Sequence, residues 1–479
     1  MPANADSMLL QGARIVDTRD GSLSRDFDVY IKEGVIAKLG PAGTIDVDSA
    51  TEIDARGKFV VPGYLDMHTH IFNAGDDAGI AADLMLAHGI TGFREMASTA
   101  RTRGQRETGK LPLTGTMPRL LSLASELLTP FTAGTPEAAV KTVREQKEAG
   151  ADFIKVAFTG PAAFFAAQAE AKRIDIPIAG HLPVGVDPAQ ASAGGMRSIE
   201  HLGPGSGILT ACSRDGEAIR ADLAAVPPRR LPPVHLLKVP FLDILIRRRL
   251  RDLLTNPALR YPEVELKALE RAVATFDEDR ARKLAAQLAA DGTWQCVTLI
   301  RNCTCLLSDS PEFRKDPNLR YLARPTFDRW MESSKEFEAL PATTRETLKG
   351  VYELYLKVTR LFDADGVKII AGSDAGGVWD IPGSSLHQEF DELARAGLSP
   401  LRVLQGATLN GAEFLGMTDK MGTVEEGKFA DLVLLNANPI DDVANLHDIA
   451  GVVRGEFHSP EELEAIKAKV AGRKLPELL

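Results

Sequence analysis

The chain has 479 residues, of which 44% are hydrophobic and 25% charged, and its formal net charge is −10 at pH 7. These fractions indicate a globular protein with a sizeable core, and the acidic balance disfavours a nucleic-acid partner, which usually meets a basic face. The start, MPANADSMLL, lacks a basic segment followed by an apolar one, and no run of about eighteen apolar residues occurs, so we expect neither a secretory signal nor a membrane span. Four cysteines in so long a chain do not make a disulfide framework, which predicts a reducing, cytoplasmic setting.

The first predicted elements are short strands. Apolar runs separated by glycine-containing turns follow one another between residues 7 and 53. A similar pattern recurs in MGTVEEGKFADLVLLNANP, residues 421–439. We therefore predict a small β-sandwich domain built from both ends of the chain, residues 1–61 and 417–479.

Strand-like and helical stretches alternate between these two segments. Thr135–Gly150 is typical of the helical ones, with Pro136 near its start and Gly150 at its end. The strand candidates are the run ending at His68, Gly89–Met96, Pro118–Ala124, Asp152–Phe158, Ile176–Leu182, Ser198–Leu202, Trp294–Ile300 and Val367–Gly377. Eight such strand–helix units predict an α/β fold with a (β/α)8 TIM barrel over residues 62–416.

The spacing of the later strands predicts two large insertions. Lys155, His181 and His201 are 26 and 20 residues apart, about one unit each. In contrast, 173 residues separate His201 from Asp374, and a single strand candidate lies between them. Residues 205–291 and 301–365 therefore carry additions, which after barrel strands lie on the catalytic face and often act as lids.

The stretch GYLDMHTHIFN, residues 63–73, ends the first barrel strand with two histidines. Side chains at positions i and i+2 of a strand share a face, so His68 and His70 both point into the predicted barrel. Two neutral imidazoles at this spacing can bind one metal ion, although two ordinary histidines beside a loop are an equal alternative.

Other ionisable residues lie on later strands. His181, His201 and Asp374 each end a strand candidate, and Lys155 interrupts the apolar run FIKVAF. A buried lysine is costly unless it is paired or chemically changed. Each residue alone has a structural explanation, but their common position at strand ends favours a shared site.

The motifs around these residues resemble the amidohydrolase superfamily. PGYLDMHTH, AGHLP, IEHLG, GSDAG and ATLNGAEFLGM, with the interior Lys155, carry the resemblance, which covers nearly the whole chain apart from the insertions. Within that superfamily the chain is most similar to imidazolonepropionase-like and Xaa-Pro-dipeptidase-like (prolidase-type) metal-dependent hydrolases. The resemblance implies two divalent metal ions, for which zinc suits mixed nitrogen and oxygen ligands best, with manganese, cobalt or iron as alternatives.

The resemblance also implies that six side chains bind the metal ions: His68, His70, Lys155, His181, His201 and Asp374. The histidine pair of the first strand and the aspartate resemble ligands of the more buried ion, and the other two histidines resemble ligands of the second. Lys155 resembles a lysine whose Nζ is carboxylated to a carbamate that bridges both ions. A free ammonium has no lone pair for a cation, whereas a carbamate offers two anionic oxygens.

The implied reaction is metal-assisted hydrolysis of a non-cyclic amide bond. Water activated between the ions attacks the carbonyl, and Asp374 acts as general base and then as general acid. We expect a small-molecule substrate of the N-acyl amino acid, dipeptide-like or aryl/alkyl amide type. The same centre could hydrolyse a carbamate, ester, lactone or phosphotriester, and a non-catalytic binding barrel is a remote alternative.

Two further residues are substrate-side candidates. Arg301 follows the seventh strand, where a guanidinium could hold a substrate carboxylate in a bidentate manner; a surface arginine is the alternative. His387, in GSSLHQEF, lies in a stretch common among the relatives; a structural role is the alternative. Pro183 stands where peptidase-like relatives often carry a tyrosine, which disfavours plain dipeptidase activity.

Two weaker patterns complete the sequence interpretation. HLLKVPFLDILIRRRLRDLL, residues 235–254, predicts a lid or an oligomer contact, and shared subunit interfaces within the superfamily favour a homo-oligomer. Cys303 and Cys305 form a C-x-C pair without a second Cys/His pair nearby, which indicates core cysteines rather than a metal site.

Overall fold

The computed structural model describes residues 7–47, 49–203, 207–225, 251 and 254–478. Its strands are β1 Ser7–Val16, β2 Leu23–Lys32, β3 Val35–Pro41, β4 Thr51–Asp54, β5 Phe59–Pro62, β6 Tyr64–Thr69, β7 Ile90–Glu95, β8 Arg119–Leu123, β9 Ile154–Val156, β10 Ile178–Gly180, β11 Met196–Glu200, β12 Trp294–Cys296, β13 Leu432–Leu435, β14 Ile449–Arg454 and β15 Glu456–His458.

The helices that the structure describes before β12 are α1 Ala78–Leu86, α2 Ala100–Glu107, α3 Pro136–Glu148, α4 Pro161–Arg173, α5 Pro188–Ala193, α6 Gly207–Ala211, α7 Gly216–Ala224, α8 Glu263–Ala274 and α9 Glu278–Asp291. After β12 they are α10 Leu299–Leu306, α11 Arg324–Glu338, α12 Ala342–Ala364, α13 Ser384–Ala396, α14 Pro400–Ala407, α15 Leu409–Leu415 and α16 Pro460–Arg473. Short 3-10 turns occupy Ile71–Asp77, Pro257–Arg260, Phe313–Lys315, Pro317–Tyr321 and Val443–His447. The predicted α/β class is confirmed.

Strands from both ends of the chain meet in one mixed sheet. Its order is β15-β14-β13-β5-β1-β2-β3, and β4 also pairs with β1. The first half of β1 runs parallel to β4 and the second half parallel to β5. Gly12 lies between the two halves at φ +71°, and Arg56 packs so closely that a Cβ would meet its Cγ at 2.7 Å. Hydrogen bonds thus connect in one sheet the strands that the sequence predicts as a sandwich, because β1 is long enough to pair with β4 and β5 in turn.

The remaining strands form two parallel sheets, β6-β7-β8 and β12-β11-β10-β9. A parallel bridge between Ala124 and Phe153 connects β8 to β9, and a second bridge joins Leu128 to Val156. Because these pairings are parallel, the carboxyl ends of the strands meet at the same edge.

The segment of residues 367–371 lies between β12 and β6. Ile369 forms a parallel bridge with Gln295 of β12, and Met67 of β6 donates its N–H to the carbonyl of Ala371 at 3.0 Å. The predicted eighth strand, Val367–Gly377, therefore makes bridge contacts rather than a regular ladder. The predicted seventh strand, Trp294–Ile300, is also shorter than expected because α10 begins at Leu299.

The two predicted insertions are largely helical where the structure describes them. Helices α6 to α9 lie between β11 and β12, and α10 to α12 lie between β12 and residue 367. The segment 235–254, predicted as a lid or oligomer contact, lies outside the described residues except for positions 251 and 254. All four cysteines are buried and free, as expected for Cys303 and Cys305. Within the described residues, no helix has the length and apolarity that a membrane crossing requires.

Candidate metal centre

The carboxyl-end edge of the parallel strands carries the six predicted ligands. His68 lies in β6 and His70 directly after it, and Asp374 follows the 367–371 segment. His68 Nε2 lies 3.4 Å and His70 Nε2 3.3 Å from the same atom, Asp374 Oδ1. Ligand atoms of these three residues lie within 4.8 Å of one another, so they could hold one metal ion.

The second pair of histidines lies beside this group. His181 follows β10 and His201 follows β11, and their ring centroids are 5.1 Å apart. His201 Nε2 lies 3.7 Å from Asp374 Oδ2, and its ring centroid lies 4.6 Å from that of His68. The structure therefore brings His68, His70 and His201 to the two oxygens of one carboxylate, and His181 lies against His201.

Lys155 lies between the two groups, on β9. Its side chain is buried, and Nζ lies 3.5 Å from a nitrogen, His68 Nε2, rather than against a carboxylate. Burial lowers the pKa of Lys155 to about 8, against the attraction of Glu200 and Asp374. A neutral amine is the form that reacts with CO2, so this environment is compatible with the predicted carbamate.

Burial also favours the neutral form of His68, His181 and His201. It lowers the pKa of His68 to about 3, helped by the positive charge of Lys155, and lowers the pKa values of His181 and His201 well below their ordinary range. A neutral imidazole has one nitrogen lone pair available for a metal ion. Within the described part of the chain, the buried Nδ1 of His181 has no hydrogen-bond partner. Neutral imidazoles, a carboxylate and an orphaned ring nitrogen fit a divalent transition-metal ion.

Three residues at this edge have strained backbone conformations. His201 (φ +57°), Thr298 (φ +41°) and Asp374 (φ +53°) lie in the left-handed region, which non-glycine residues rarely adopt. Such conformations cost roughly 1–3 kcal/mol each and cluster at functional sites. The Nδ1 of His201 and the hydroxyl of Thr298 are 2.5 Å apart, which directs the other ring nitrogen of His201 towards Asp374.

Glu200, which the sequence interpretation missed, orients His68. Its Oε2 accepts a hydrogen bond from His68 Nδ1 at 2.8 Å, so the lone pair of that ring lies on Nε2, which faces Asp374. Burial alone would raise the pKa of Glu200, but Arg94 and His68 hold it well below its ordinary range. Glu200 shares the inward face of β11 with Ser198, and this i, i+2 polar pair in an apolar strand was the available sequence signal.

Arg94 on β7 neutralises Glu200. Its Nη2 donates to both carboxylate oxygens at 3.0 Å, and its Nε donates to the carbonyl of Met67, next to His68, at 2.6 Å. Both members of this ion pair are buried. Ligand-bound histidines commonly donate their second nitrogen to a carboxylate, and such partners tune ligand orientation.

Asp66 connects the first and last segments of the site. It accepts hydrogen bonds from the N–H and hydroxyl of Ser373, at 2.9 and 2.6 Å, and from the N–H of His68 at 3.2 Å. Burial raises the pKa of Asp66 to about 6 despite these bonds. The residue preceding Asp374 is thus fixed against the strand that carries His68.

Asp374 remains ionised. Burial favours its neutral form, but any positive charge on the facing rings of His68, His201 and His70 outweighs that effect and holds the pKa of Asp374 well below its usual range. The carboxylate is therefore available as a metal ligand or a proton acceptor.

Arg301 lies beside Asp374, with most of its donors already used. Its Nε is 3.5 Å from Asp374 Oδ2, and its Nη1 is 3.3 Å from both Asp380 Oδ2 and the carbonyl of Thr255. Gly377 makes room for it, since a Cβ there would lie 1.6 Å from Nη1. The structure places Arg301 at the site, but a bidentate grip on a substrate carboxylate would require these protein acceptors to be displaced.

His387, the other predicted substrate residue, lies at the opposite end of β6. Its ring packs against Tyr64, which begins that strand, at a centroid distance of 5.8 Å. Its Nε2 donates to the backbone carbonyl of His88 at 2.7 Å. The structure does not bring His387 to the six predicted ligands, because it lies on the amino-end side of the parallel strands.

Comparisons with known proteins show which families and folds this chain is similar to. The Amidohydrolase family model matches residues 355–457. The dihydroorotase of Carboxydothermus hydrogenoformans is 34% identical over 96 residues, which are 19% of this chain and 22% of the relative. The aligned segment thus spans about a fifth of that curated relative.

Two solved structures match nearly the whole chain. Bottromycin amidohydrolase has a TM-score of 0.70 at 21% identity, covering 100% of this chain and 94% of that one. A Xaa-Pro dipeptidase with bound methionine has a TM-score of 0.60 at 18% identity, covering 95% and 100%. At these identities the likeness establishes a shared fold. The family match confirms the predicted resemblance to amidohydrolases, and the solved structures show that the chain shares the fold of an amidohydrolase and a Xaa-Pro dipeptidase.

Proposed function

We propose that this amidohydrolase-superfamily chain is a metal-dependent hydrolase with two divalent ions that cleaves a non-cyclic amide bond in a small molecule. The observation that carries the proposal is the convergence of His68, His70 and His201 on the two oxygens of Asp374. Charged or ligating side chains from distant parts of the chain rarely meet in a buried place without a ligand.

The proposed scaffold is a (β/α)8 barrel over residues 62–416, with a second domain formed from residues 1–61 and 417–479. Parallel pairings lead from β6 through β12 to the 367–371 segment, and the hydrogen bond from Met67 to Ala371 returns to β6. This order of neighbours supports a closed ring. The end sheet, β15 to β3, supports a separate β-domain.

The proposed ligands divide between the two ions. His68, His70 and Asp374 would hold one ion, and His181 and His201 the other, with a carboxylated Lys155 between them. Zinc suits this set of nitrogen and oxygen donors best. When bound, the ions supply Lewis acidity for the substrate carbonyl and lower the pKa of attacking water.

Asp374 is the proposed general base. Its low pKa keeps it ionised at neutral pH, so it can accept a proton from the attacking water and return it to the leaving nitrogen. Arg301, 3.5 Å from Oδ2, would hold that carboxylate in place and limit its rotation. Glu200 would keep Nε2 of His68 free of its proton.

The coverage of the comparisons favours a non-cyclic amide. The likeness to an amidohydrolase and a dipeptidase extends over nearly the whole chain, whereas the similarity to dihydroorotase covers 19% of it. We therefore prefer an N-acyl amino acid, dipeptide-like or aryl/alkyl amide substrate. A carbamate, ester, lactone or phosphotriester would use the same centre and is the alternative. We also propose that the protein is a homo-oligomer and that it acts in the cytoplasm.

The first test combines metal analysis with a hydrolysis screen over amide, carbamate and ester panels. Asp374→Asn should lower kcat at least about a thousandfold, because a neutral amide cannot accept the proton. Asp419→Asn, at an exposed position after α15, is the matched control and should retain activity. Near-normal turnover by Asp374→Asn would contradict the proposed base, and hydrolysis restricted to the ester or carbamate panel would favour the alternative.

A further inference from the structure

Three exposed apolar side chains occupy neighbouring loops at the carboxyl-end edge. In the described part of the chain, the exposed large hydrophobic residues are Leu23, Phe131, Phe158 and Val184. Leu23 lies on β2 of the end sheet, whereas the other three follow β8, β9 and β10 in turn. We call Phe131, Phe158 and Val184 the apolar shelf.

The shelf residues follow strands that are adjacent in space. Phe158 donates its N–H to the carbonyl of Leu128 at 3.1 Å, which ties the loop after β9 to the segment leading to Phe131. β9 pairs in parallel with β10, whose loop carries Val184. The loops that carry the three side chains are therefore neighbours in one sector of the edge.

The shelf is continuous with the candidate metal centre. The ring of Phe158 meets the ring of His181 edge-on, with centroids 5.4 Å apart and planes at 75°. Val184 is three positions beyond His181, next to Pro183. This side of the centre thus offers carbon surface from Phe158 and Val184.

The side chains across the centre have the opposite character. Arg301, Asp374 and Asp380 occupy the side formed by α10 and the segment after residue 371. A site that is apolar on one side and charged on the other orients an amphipathic ligand. Exposed apolar side chains that group beside a polar site are typical of ligand contact.

We infer that the apolar shelf binds a bulky apolar group of the substrate, an alkyl chain or an aromatic ring adjoining the scissile carbonyl. This inference rests on the proposed function for the identity of the bond, but the binding of the apolar group can be measured without turnover. It narrows the proposed substrates to amides with an apolar acyl or aryl part beside the ion held by His181 and His201.

Calorimetric binding of butanoate, hexanoate and octanoate to the metal-loaded enzyme tests the shelf directly. The carboxylate head gives these probes a common anchor at the centre. The dissociation constant should fall about twofold for each added methylene. Complete burial of a methylene would lower it about fourfold, so the expected gain in binding free energy is about half of the maximum. Phe158→Ala should remove most of this chain-length dependence and leave butanoate binding unchanged.

Leu23→Ala is the matched control, since it removes a similarly exposed apolar side chain at the start of β2, in the end sheet rather than at the carboxyl-end edge. It should preserve the chain-length dependence, and Phe158→Leu should restore most of it. Equal dependence in wild type and Phe158→Ala would overturn the inference. So would a change of oligomeric state in Phe158→Ala with intact probe binding, which would make the shelf a contact between copies.

Kinetics with N-acetyl-, N-hexanoyl- and N-octanoylalanine separate this inference from the proposed function. If the shelf acts in catalysis, kcat/KM should rise with acyl length in wild type and Leu23→Ala and stay flat in Phe158→Ala. Hydrolysis without chain-length dependence would reject the shelf and retain the hydrolase. Probe binding that depends on Phe158, without hydrolysis of any amide, would reject the proposed reaction and retain the shelf.

Discussion

Histidines gather at both ends of β6, and the two groups use their ring nitrogens differently. At the carboxyl end, the Nε2 atoms of His68, His70 and His201 all face Asp374. At the amino end, His88 Nδ1 donates to the carbonyl of Leu84 at 2.8 Å and His387 Nε2 donates to the carbonyl of His88 at 2.7 Å.

In both groups the hydrogen-bond acceptor fixes which ring nitrogen carries the proton. A backbone carbonyl requires a protonated ring nitrogen, so the nitrogens bonded at the amino end have no lone pair to offer. At the carboxyl end Glu200 accepts from Nδ1 of His68 and leaves Nε2 free. Among the described residues, both groups that could hold a metal ion include His68. The comparison teaches that the convergence of the other ring nitrogens on one carboxylate, rather than the presence of histidine, marks the candidate metal centre.

The largest expected effect is the loss of Lys155. Lys155→Met should weaken binding of the metal ions on the order of a hundredfold or more, because the bridging carbamate cannot form. Metal content after chelator competition and residual turnover measure this effect. Added short-chain carboxylates should restore part of the activity of Lys155→Ala, which leaves space for them. Full metal occupancy in Lys155→Met would contradict the bridging role.

The next largest effect is expected at the buried Glu200, for which the buried Glu389 serves as a comparison. Glu200→Gln should lower metal affinity by about 10- to 100-fold, because the amide cannot hold the His68 tautomer as a carboxylate does. It should also destabilise the protein by about 3 kcal/mol or more, because Arg94 loses its counter-charge in the interior. Titration of metal into the apo protein and denaturant unfolding measure the two effects separately. Unchanged metal affinity in this variant would leave Glu200 with a structural role alone.

Glu389→Gln is the control for that variant, because burial raises the pKa of Glu389 well above its ordinary value. Glu389 accepts the N–H of Ile300 at 2.8 Å, and as a neutral acid it resembles glutamine. Since its folded pKa is raised, its favourable contribution is present below the unfolded pKa of about 4.5 and is lost as pH rises through the folded pKa. The wild type should therefore lose more stability than Glu389→Gln as the pH rises above about 4.5. The two proteins should bind metal with equal affinity. A steeper decline in the variant would contradict this sign.

The smallest expected effect is at the amino-end histidines. His387→Phe should cost about 1–3 kcal/mol of unfolding free energy, since the buried carbonyl of His88 loses its donor. Metal content and kcat/KM should remain within about twofold of wild type, because His387 packs at the start of β6. A fall of kcat/KM by more than tenfold, with normal metal content, would restore the substrate role that the sequence predicts.

Much of the fold was predictable because its signals are local. Thr135 caps α3, whose bounds Pro136–Glu148 agree with the predicted helix, and the side chain of Thr135 accepts the N–H of Ala138. Most predicted barrel strands overlap observed ones but are longer, as with Asp152–Phe158 against Ile154–Val156, whereas Val367–Gly377 makes only bridge contacts. Strand ends depend on pairing partners, which lie far away in the sequence.

The sequence by itself determined the set of chemically able residues, because ligating side chains and a strand period of two are properties of short segments. His68, His70, Lys155, His181, His201 and Asp374 carried that signal before any neighbour was known. Their convergence is a property of the tertiary structure, and their roles as ligands remain a prediction.

Only the tertiary structure decided what surrounds those residues. It placed the Glu200–Arg94 ion pair beside His68. It paired the guanidinium of Arg301 with acceptors of the protein itself. It also placed His387 at the other end of β6. It also joined three separate loops into the apolar shelf. These features depend on contacts between residues distant in the chain, and a sequence pattern records the chemistry of a side chain but not the atoms that will face it.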